Sequence, residues 1–236
     1  MLPQPSLGRA EAYLNVHLSR SGQGHFNPDA PGPFVTISRE SGSGGSSLAQ
    51  ALAPRLEREL PGDAPWTIFD RNIVEAMLES RNLSARVARF LPEDKVSEID
   101  ASIGELIGLH PNIWNLIQRT NDMIRELARA GHVIFVGRGA NFATGGIANG
   151  IHVRLVAPVE VRAERMARQL GVTYDTAVLH NSRTDAARRS YVRSVFDADI
   201  DRASAYDLML NVGSMSIEQA AEQVAVALRS RVAVPA

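Results

Sequence analysis

The chain has 236 residues, 44% hydrophobic and 22% charged, which fits one α/β domain and excludes wholesale disorder. A formal net charge of −1 argues against nonspecific nucleic-acid or membrane binding through bulk charge. The absence of cysteine excludes disulfides, thiolate metal sites and a cysteine nucleophile. Of the 25 basic residues, only Lys95 is a lysine, so any mechanism that needs a lysine must use Lys95 or do without.

Residues 1–33 read as an arm and linker. Arg9 to Arg20 has the pattern of one short helix, with Tyr13, Leu14 and Leu18 on one side. Ser21 to Pro33 is rich in Gly and Pro and breaks it. No apolar run reaches the roughly 20 residues of a membrane helix, and no basic-then-apolar leader opens the chain. The expected compartment is the cytoplasm.

The main domain, 34–236, starts with the β-branched run Phe34 to Ile37. A Gly/Ser loop, Ser38 to Ser46, leads into a helix running from Ser47 toward Leu60. A second strand is predicted at Trp66 to Phe69. Helical patterns follow at Asn72 to Glu79, at 93–109 and at 111–130, with a break at Pro111. Val133 to Val136 is fully apolar between Gly131 and Gly137, as in a buried parallel strand. Ile151 to Val156 is a fourth strand and Val159 to Leu170 a helix stopped by Gly171. Thr173 to about Phe196 is an Arg-rich helical stretch. The last strand is Tyr206 to Asn211. The last helix is Ile217 to Arg231, with Ser216 as its N-cap.

This alternation predicts an α/β three-layer fold with a five-stranded, mainly parallel sheet. Ligands then belong at the carboxyl ends of the strands. The sharpest motifs fall at three such ends: 38–47, 70–71 and 137–138.

Strand, glycine turn and helix N-terminus together make an anion site. The amides of Gly42, Ser43, Gly44, Gly45, Ser46 and Ser47 are the candidate phosphate ligands, and Ser47 is the candidate Mg²⁺ ligand. Against the pattern G-x-x-x-x-G-K-[ST], Gly44 is the second glycine, Arg39 stands at the first, and Gly45 stands where the lysine belongs. Another cation must serve, and Arg39 lies in the loop itself. The alternative is a plain flexible Ser/Gly turn.

Val35-Thr36-Ile37-Ser38-Arg39-Glu40-Ser41-Gly42-Ser43-Gly44-Gly45 resembles the opening of the cytidylate kinase-like family, a branch of the P-loop nucleoside monophosphate kinases. The resemblance spans most of 34–230. It takes in Phe69-Asp70-Arg71, Val136-Gly137-Arg138-Gly139, Ala157-Pro158, Arg183 to Arg189, Tyr206-Asp207-Leu208 and Ser216 to Gln219. It implies a P-loop NTPase-type fold with a helical acceptor region at about 71–130 and an Arg-rich lid at about 173–200. It also implies transfer of phosphate from ATP, with Mg²⁺, to a nucleoside monophosphate, CMP or dCMP first.

By that resemblance, Arg138 grips the acceptor phosphate. The alternative for it is a strand-end salt bridge. Asp70 and Arg71 open the acceptor region, although Asp70 can equally N-cap a helix. Arg183 and Arg188 fall nearest the lid arginines, against the alternative of a solvated face paired with Asp185, Asp197 and Asp199. No carboxylate ends the run 133–136, and Asp70 or Asp185 is left to reach Mg²⁺ through water. His152, in an apolar strand, reads as structural. The expected partners are small nucleotides, with neither nucleic acid nor membrane, and the oligomeric state is open. A non-catalytic nucleotide-binding module, or a kinase for another small phosphate acceptor, remains the alternative.

Overall fold

The structure, a computed structural model, describes residue 13 and residues 31–62, 64–70, 111–137 and 139–232, with backbone alone at 111–116 and 119. The expected helices at 72–79 and 93–109, and Lys95, lie outside these residues.

Five strands make one sheet: β1 (Phe34–Arg39), β2 (Thr67–Phe69), β3 (Val133–Val136), β4 (Gly150–Val156) and β5 (Leu208–Asn211). Their order is β2-β3-β1-β4-β5, and every neighbouring pair is parallel. The glycine loop therefore leaves the central strand. The order reverses beside β1, the crevice where open α/β sheets bind ligands.

Strand alternation fills two cores. Val35, Ile37, Ile134, Val136, Ile151, Val153 and Leu155 face α1 (Gly45–Glu59) and the last helix. Phe34, Phe69, Val133 and Phe135 face the other way, onto α2 (Pro111–Ala130), which buries Ile117, Ile124, Leu127 and Ala128, and onto the short α3 (Ala140–Ala143). Tyr13 is fully buried in this second core, edge-on to Phe69 at 5.7 Å between ring centroids. Its hydroxyl donates to the Gly131 carbonyl.

An antiparallel hairpin follows β4. It pairs α4 (Val159–Leu170) with the 23-residue α5 (Tyr174–Phe196). Gly171 ends α4 in the left-handed region, and the Thr173 hydroxyl caps α5 through the Thr176 N–H. The last helix, α6 (Ile217–Val232), opens with a capping box. Ser216 Oγ accepts from Gln219 N at 3.1 Å, and Gln219 Oε1 accepts from Ser216 N at 2.9 Å. Among the described residues no helix is long and apolar enough to cross a membrane.

Candidate functional site

The loop from β1 to α1 is Glu40–Gly44, two residues beyond the predicted end of the strand. Ser43 closes it, its N–H and its hydroxyl both donating to the Glu40 carbonyl at 3.2 and 2.8 Å. Gly42 and Gly44 have φ of 79° and 85°, which side chains other than glycine rarely adopt. Both are also tightly packed. A Cβ on Gly42 would lie 3.1 Å from the Arg162 carbonyl carbon, and one on Gly44 would lie 3.0 Å from Ile217 Cδ1.

The loop leaves donors open. Glu40, Ser41 and Ser43 spend their N–H groups within the protein. Among the described residues the amides of Gly42, Gly44, Gly45, Ser46 and Ser47 have no such partner. Helix α1 has no side-chain cap and no acidic residue in its first turn, whereas α5 and α6 are capped. An uncapped N-terminus concentrates unsatisfied donors and the positive end of the dipole at one point. Of the expected phosphate-binding amides, only that of Ser43 is already taken.

Arg39 crosses this mouth half-buried. Its aliphatic stem lies against Gly45, where a Cβ would stand 2.9 Å from Arg39 Cγ and 3.2 Å from Cδ. Its guanidinium lies against Gly137 at the carboxyl end of β3, where a Cβ would stand 2.8 Å from Cζ and 3.0 Å from Nη2. The missing lysine of the sequence pattern thus has a steric counterpart, because the space at position 45 holds the Arg39 stem.

The α4–α5 hairpin grips the loop from outside. Asp185 Oδ1 accepts from Ser41 N at 2.7 Å. Its Oδ2 accepts from Arg162 Nη1 at 2.8 Å, and both side chains are only 10% exposed. Arg162 Nη1 also donates to the Ser41 carbonyl at 3.0 Å, and its Nε to Ala157 O at 3.0 Å. Glu40 joins them, accepting from the Ala157 N–H at 3.0 Å and lying 3.4 Å from Arg162 Nε. Arg188 Nη1 donates to the Arg39 carbonyl at 3.1 Å and pairs with Asp185 at 3.5 Å. Asp185 and Glu40 therefore hold the loop in shape, and the sequence expectation of Asp185 as a water-mediated metal contact gives way to that role.

Arg188 is at the loop; Arg183 is not. Arg183 is exposed and has no hydrogen bond or ion pair among the described residues. Two residues from Asp185, it lies about 200° round the helix from the loop contact. Among the described residues, neither Asp197 nor Asp199 pairs with an arginine of α5. Arg189 pairs with Asp201 at 2.9 Å, and Asp201 also pairs with Arg154.

Arg154, in β4, is 4% exposed. It donates to Ser38 Oγ at 2.9 Å and lies 5.7 Å from the Tyr206 ring centroid. Tyr206 in turn donates to Ile200 O at 2.7 Å, and burial pushes its phenol up. Sequence reasoning missed Arg154 and Arg162. The signal for Arg154 was a cation inside an otherwise apolar strand. Nothing local marks Arg162.

Counted from Gly44, the hydroxyl position of the phosphate-loop pattern is Ser46 rather than Ser47. Both are exposed on the first turn of α1. Among the described residues no group of three or more His, Asp or Glu could hold a metal ion. Mg²⁺ bound with phosphates keeps several waters and needs few protein ligands, so one serine hydroxyl beside the loop fits it. Asp70 follows β2, half-buried. Arg71 and Arg138 lie outside the described residues.

The cytidylate kinase-like family model matches residues 34–214. The chain belongs to the cytidylate kinase-like family. Archaeal relatives named cytidylate kinase agree. The one from Methanocaldococcus jannaschii is 24% identical over 161 residues, 67% of this chain and 88% of that one. The one from Pyrobaculum calidifontis is 27% identical over 184 residues, 78% and 85% of the two chains. A protein named uronate isomerase from Corynebacterium glutamicum matches at 26% over 125 residues, which is 53% of this chain but 24% of that protein. Among solved structures, an uncharacterized protein from Eubacterium ventriosum superposes with a TM-score of 0.64 at 18% identity, covering 84% of this chain and 99% of its own. With the strand order and the loop, this makes the fold a three-layer α/β P-loop kinase fold.

Proposed function

We propose that this chain transfers a phosphoryl group from ATP to a nucleoside monophosphate, with CMP or dCMP as the first acceptors to try. The observation that carries the reading is the uncapped α1 N-terminus with its open amides, faced by Arg39, in a chain of this family.

Phosphoryl transfer asks a protein mainly to position its partners and neutralise charge. The amides of Gly42 and Gly44 to Ser47 hold the donor phosphates, and Arg39 supplies the cation that a loop lysine would supply. Arg188 braces Arg39 from the lid. The Ser46 hydroxyl, or that of Ser47, would hold Mg²⁺, which when bound would offset the negative charge of the donor phosphates. Arg138, next after Gly137, and Arg71 hold the acceptor phosphate, since an arginine fork suits phosphate bidentately. Asp70 is the candidate for the acceptor's base or sugar.

A coupled ADP-release assay with Mg-ATP and a panel of monophosphates tests this reading. CMP or dCMP turnover supports it, and turnover of another small phosphate acceptor redirects it. ATP binding without turnover of any acceptor replaces it with the second reading, a nucleotide-binding module that has kept the kinase fold. One feature favours that second reading. β3 ends at the buried Val136 and is followed by Gly137, where a carboxylate would otherwise help to hold Mg²⁺.

A further inference from the structure

Gly45 poses a question that its backbone does not answer. It is the first residue of α1 and has no positive φ, so its conformation suits any residue. Glycine is unfavourable in a helix relative to alanine. What excludes a side chain is Arg39, whose Cγ, Cδ and Cβ would stand 2.9, 3.2 and 3.3 Å from a Cβ at 45. These atoms belong to the stem nearest the β1 backbone and not to the far end of the flexible side chain. Gly137 is the seat at the other end, under the guanidinium.

We propose that Arg39 and Gly45 form a single exchange unit: the cation of the phosphate loop has moved from the helix to the central strand, and Arg39 can occupy the mouth only because position 45 carries no side chain. This rests on the ATP reading of the loop. A lysine at 45 is excluded as long as Arg39 is present, by overlap with its stem and by the repulsion of two adjacent cations. The loop does not lack a charge that one substitution would restore. It already carries that charge, delivered from β1 to the carboxyl end of β3.

The test uses the full-length chain and two readouts, melting temperature and Mg-ATP affinity. Arg39→Ala weakens ATP binding by about tenfold to a hundredfold, the range for losing a charged hydrogen-bond partner. Gly45→Ala, a change that usually stabilises a helix, lowers the melting temperature in the wild-type background and raises it in the Arg39→Ala background. Gly45→Lys alone weakens ATP binding. The Arg39→Ala/Gly45→Lys double variant binds ATP at least about tenfold more tightly than either single variant, a non-additivity expected only of residues in contact.

The proposal is overturned if Gly45→Ala stabilises both backgrounds equally, or if the effects of the two changes on ATP affinity simply add. Failure of the ATP reading looks different. The wild-type chain then binds no ATP, while the sign change in melting temperature still reports the steric pairing of 39 and 45.

Discussion

Asp185, in the middle of α5, accepts the backbone N–H of Ser41 at 2.7 Å across 144 residues of sequence. One carboxylate thus fixes both the loop and the hairpin, because its other oxygen holds Arg162. Removing one partner of a buried ion pair leaves the other charge uncompensated, at a cost of about 3–5 kcal/mol. Asp185→Ala should lower unfolding stability by about 3 kcal/mol and weaken ATP binding. Asp185→Asn keeps an acceptor for Ser41 and should lose less of both. Urea denaturation with nucleotide titration checks this. A near-neutral Asp185→Ala would show that the loop holds its shape without the α4–α5 hairpin.

The arginines of α5 separate into two kinds. Arg188→Ala should lower kcat/KM by about tenfold or more, since it removes a charged contact to the Arg39 carbonyl. Arg183→Ala, at an exposed position on the far side of α5, should change it by less than about twofold. Equal losses in the two variants would mean that the hairpin rearranges when nucleotide binds.

Gly44→Ala should disable the loop without unfolding the domain. A left-handed residue with a Cβ costs about 1–2 kcal/mol, and here the methyl also meets Ile217 at 3.0 Å. The expected outcome is ATP affinity reduced by about tenfold with a circular dichroism spectrum unchanged. Wild-type affinity would remove this loop from the nucleotide site.

Ser46 and Ser47 give opposite expectations for Mg²⁺. Ser46→Ala should raise the Mg²⁺ concentration needed for half-maximal binding of ATP and for half-maximal turnover. Ser47→Ala should leave both near wild type. The reverse ranking would restore Ser47 as the ligand.

His152 should set an acid limit on stability. Burial is the largest cause holding its pKa below the ordinary 6.5; Asp207 pushes it up and Arg231 pushes it down. Its Nδ1 lies 2.9 Å from Thr36 Oγ1 inside the sheet. A base with a lowered folded pKa is protonated first in the unfolded chain. Its stability contribution is therefore present above the unfolded pKa and lost as pH falls from there through the lowered folded pKa. Between about pH 7 and pH 5 the wild type should lose more unfolding free energy than His152→Gln, as measured by urea melts. Parallel slopes for the two proteins would contradict this.

The strands were legible because each is an apolar run with glycine or proline near its ends, and Val133–Val136 was placed to the residue. Helices α4 to α6 were legible from Gly171, Thr173 and Ser216, whose cap chemistry is local. The four-residue α3 was not foreseen, being too short to show a period. The loop was legible as a phosphate loop. The reason for its missing lysine was not, because that reason is the path of the Arg39 side chain. The grip of Asp185 and Arg162 was hidden for the same reason, since partners 23 and 144 residues away leave no mark in local pattern. Arg183 and Arg188 looked equivalent in the sequence, and only helical phase separates them.

The contact between Arg39 and Gly45 also bears on descent. A chain with arginine at 39 and glycine at 45 is two substitutions away from one with glycine at 39 and lysine at 45. Under the proposed exchange, each one-step intermediate carries either both cations crowded together or neither. If both intermediates bind ATP as weakly as that exchange predicts, neutral drift does not connect the two loops. With Arg39 in the mouth, the loop of this chain is compatible with a sequence whose one lysine, Lys95, lies elsewhere.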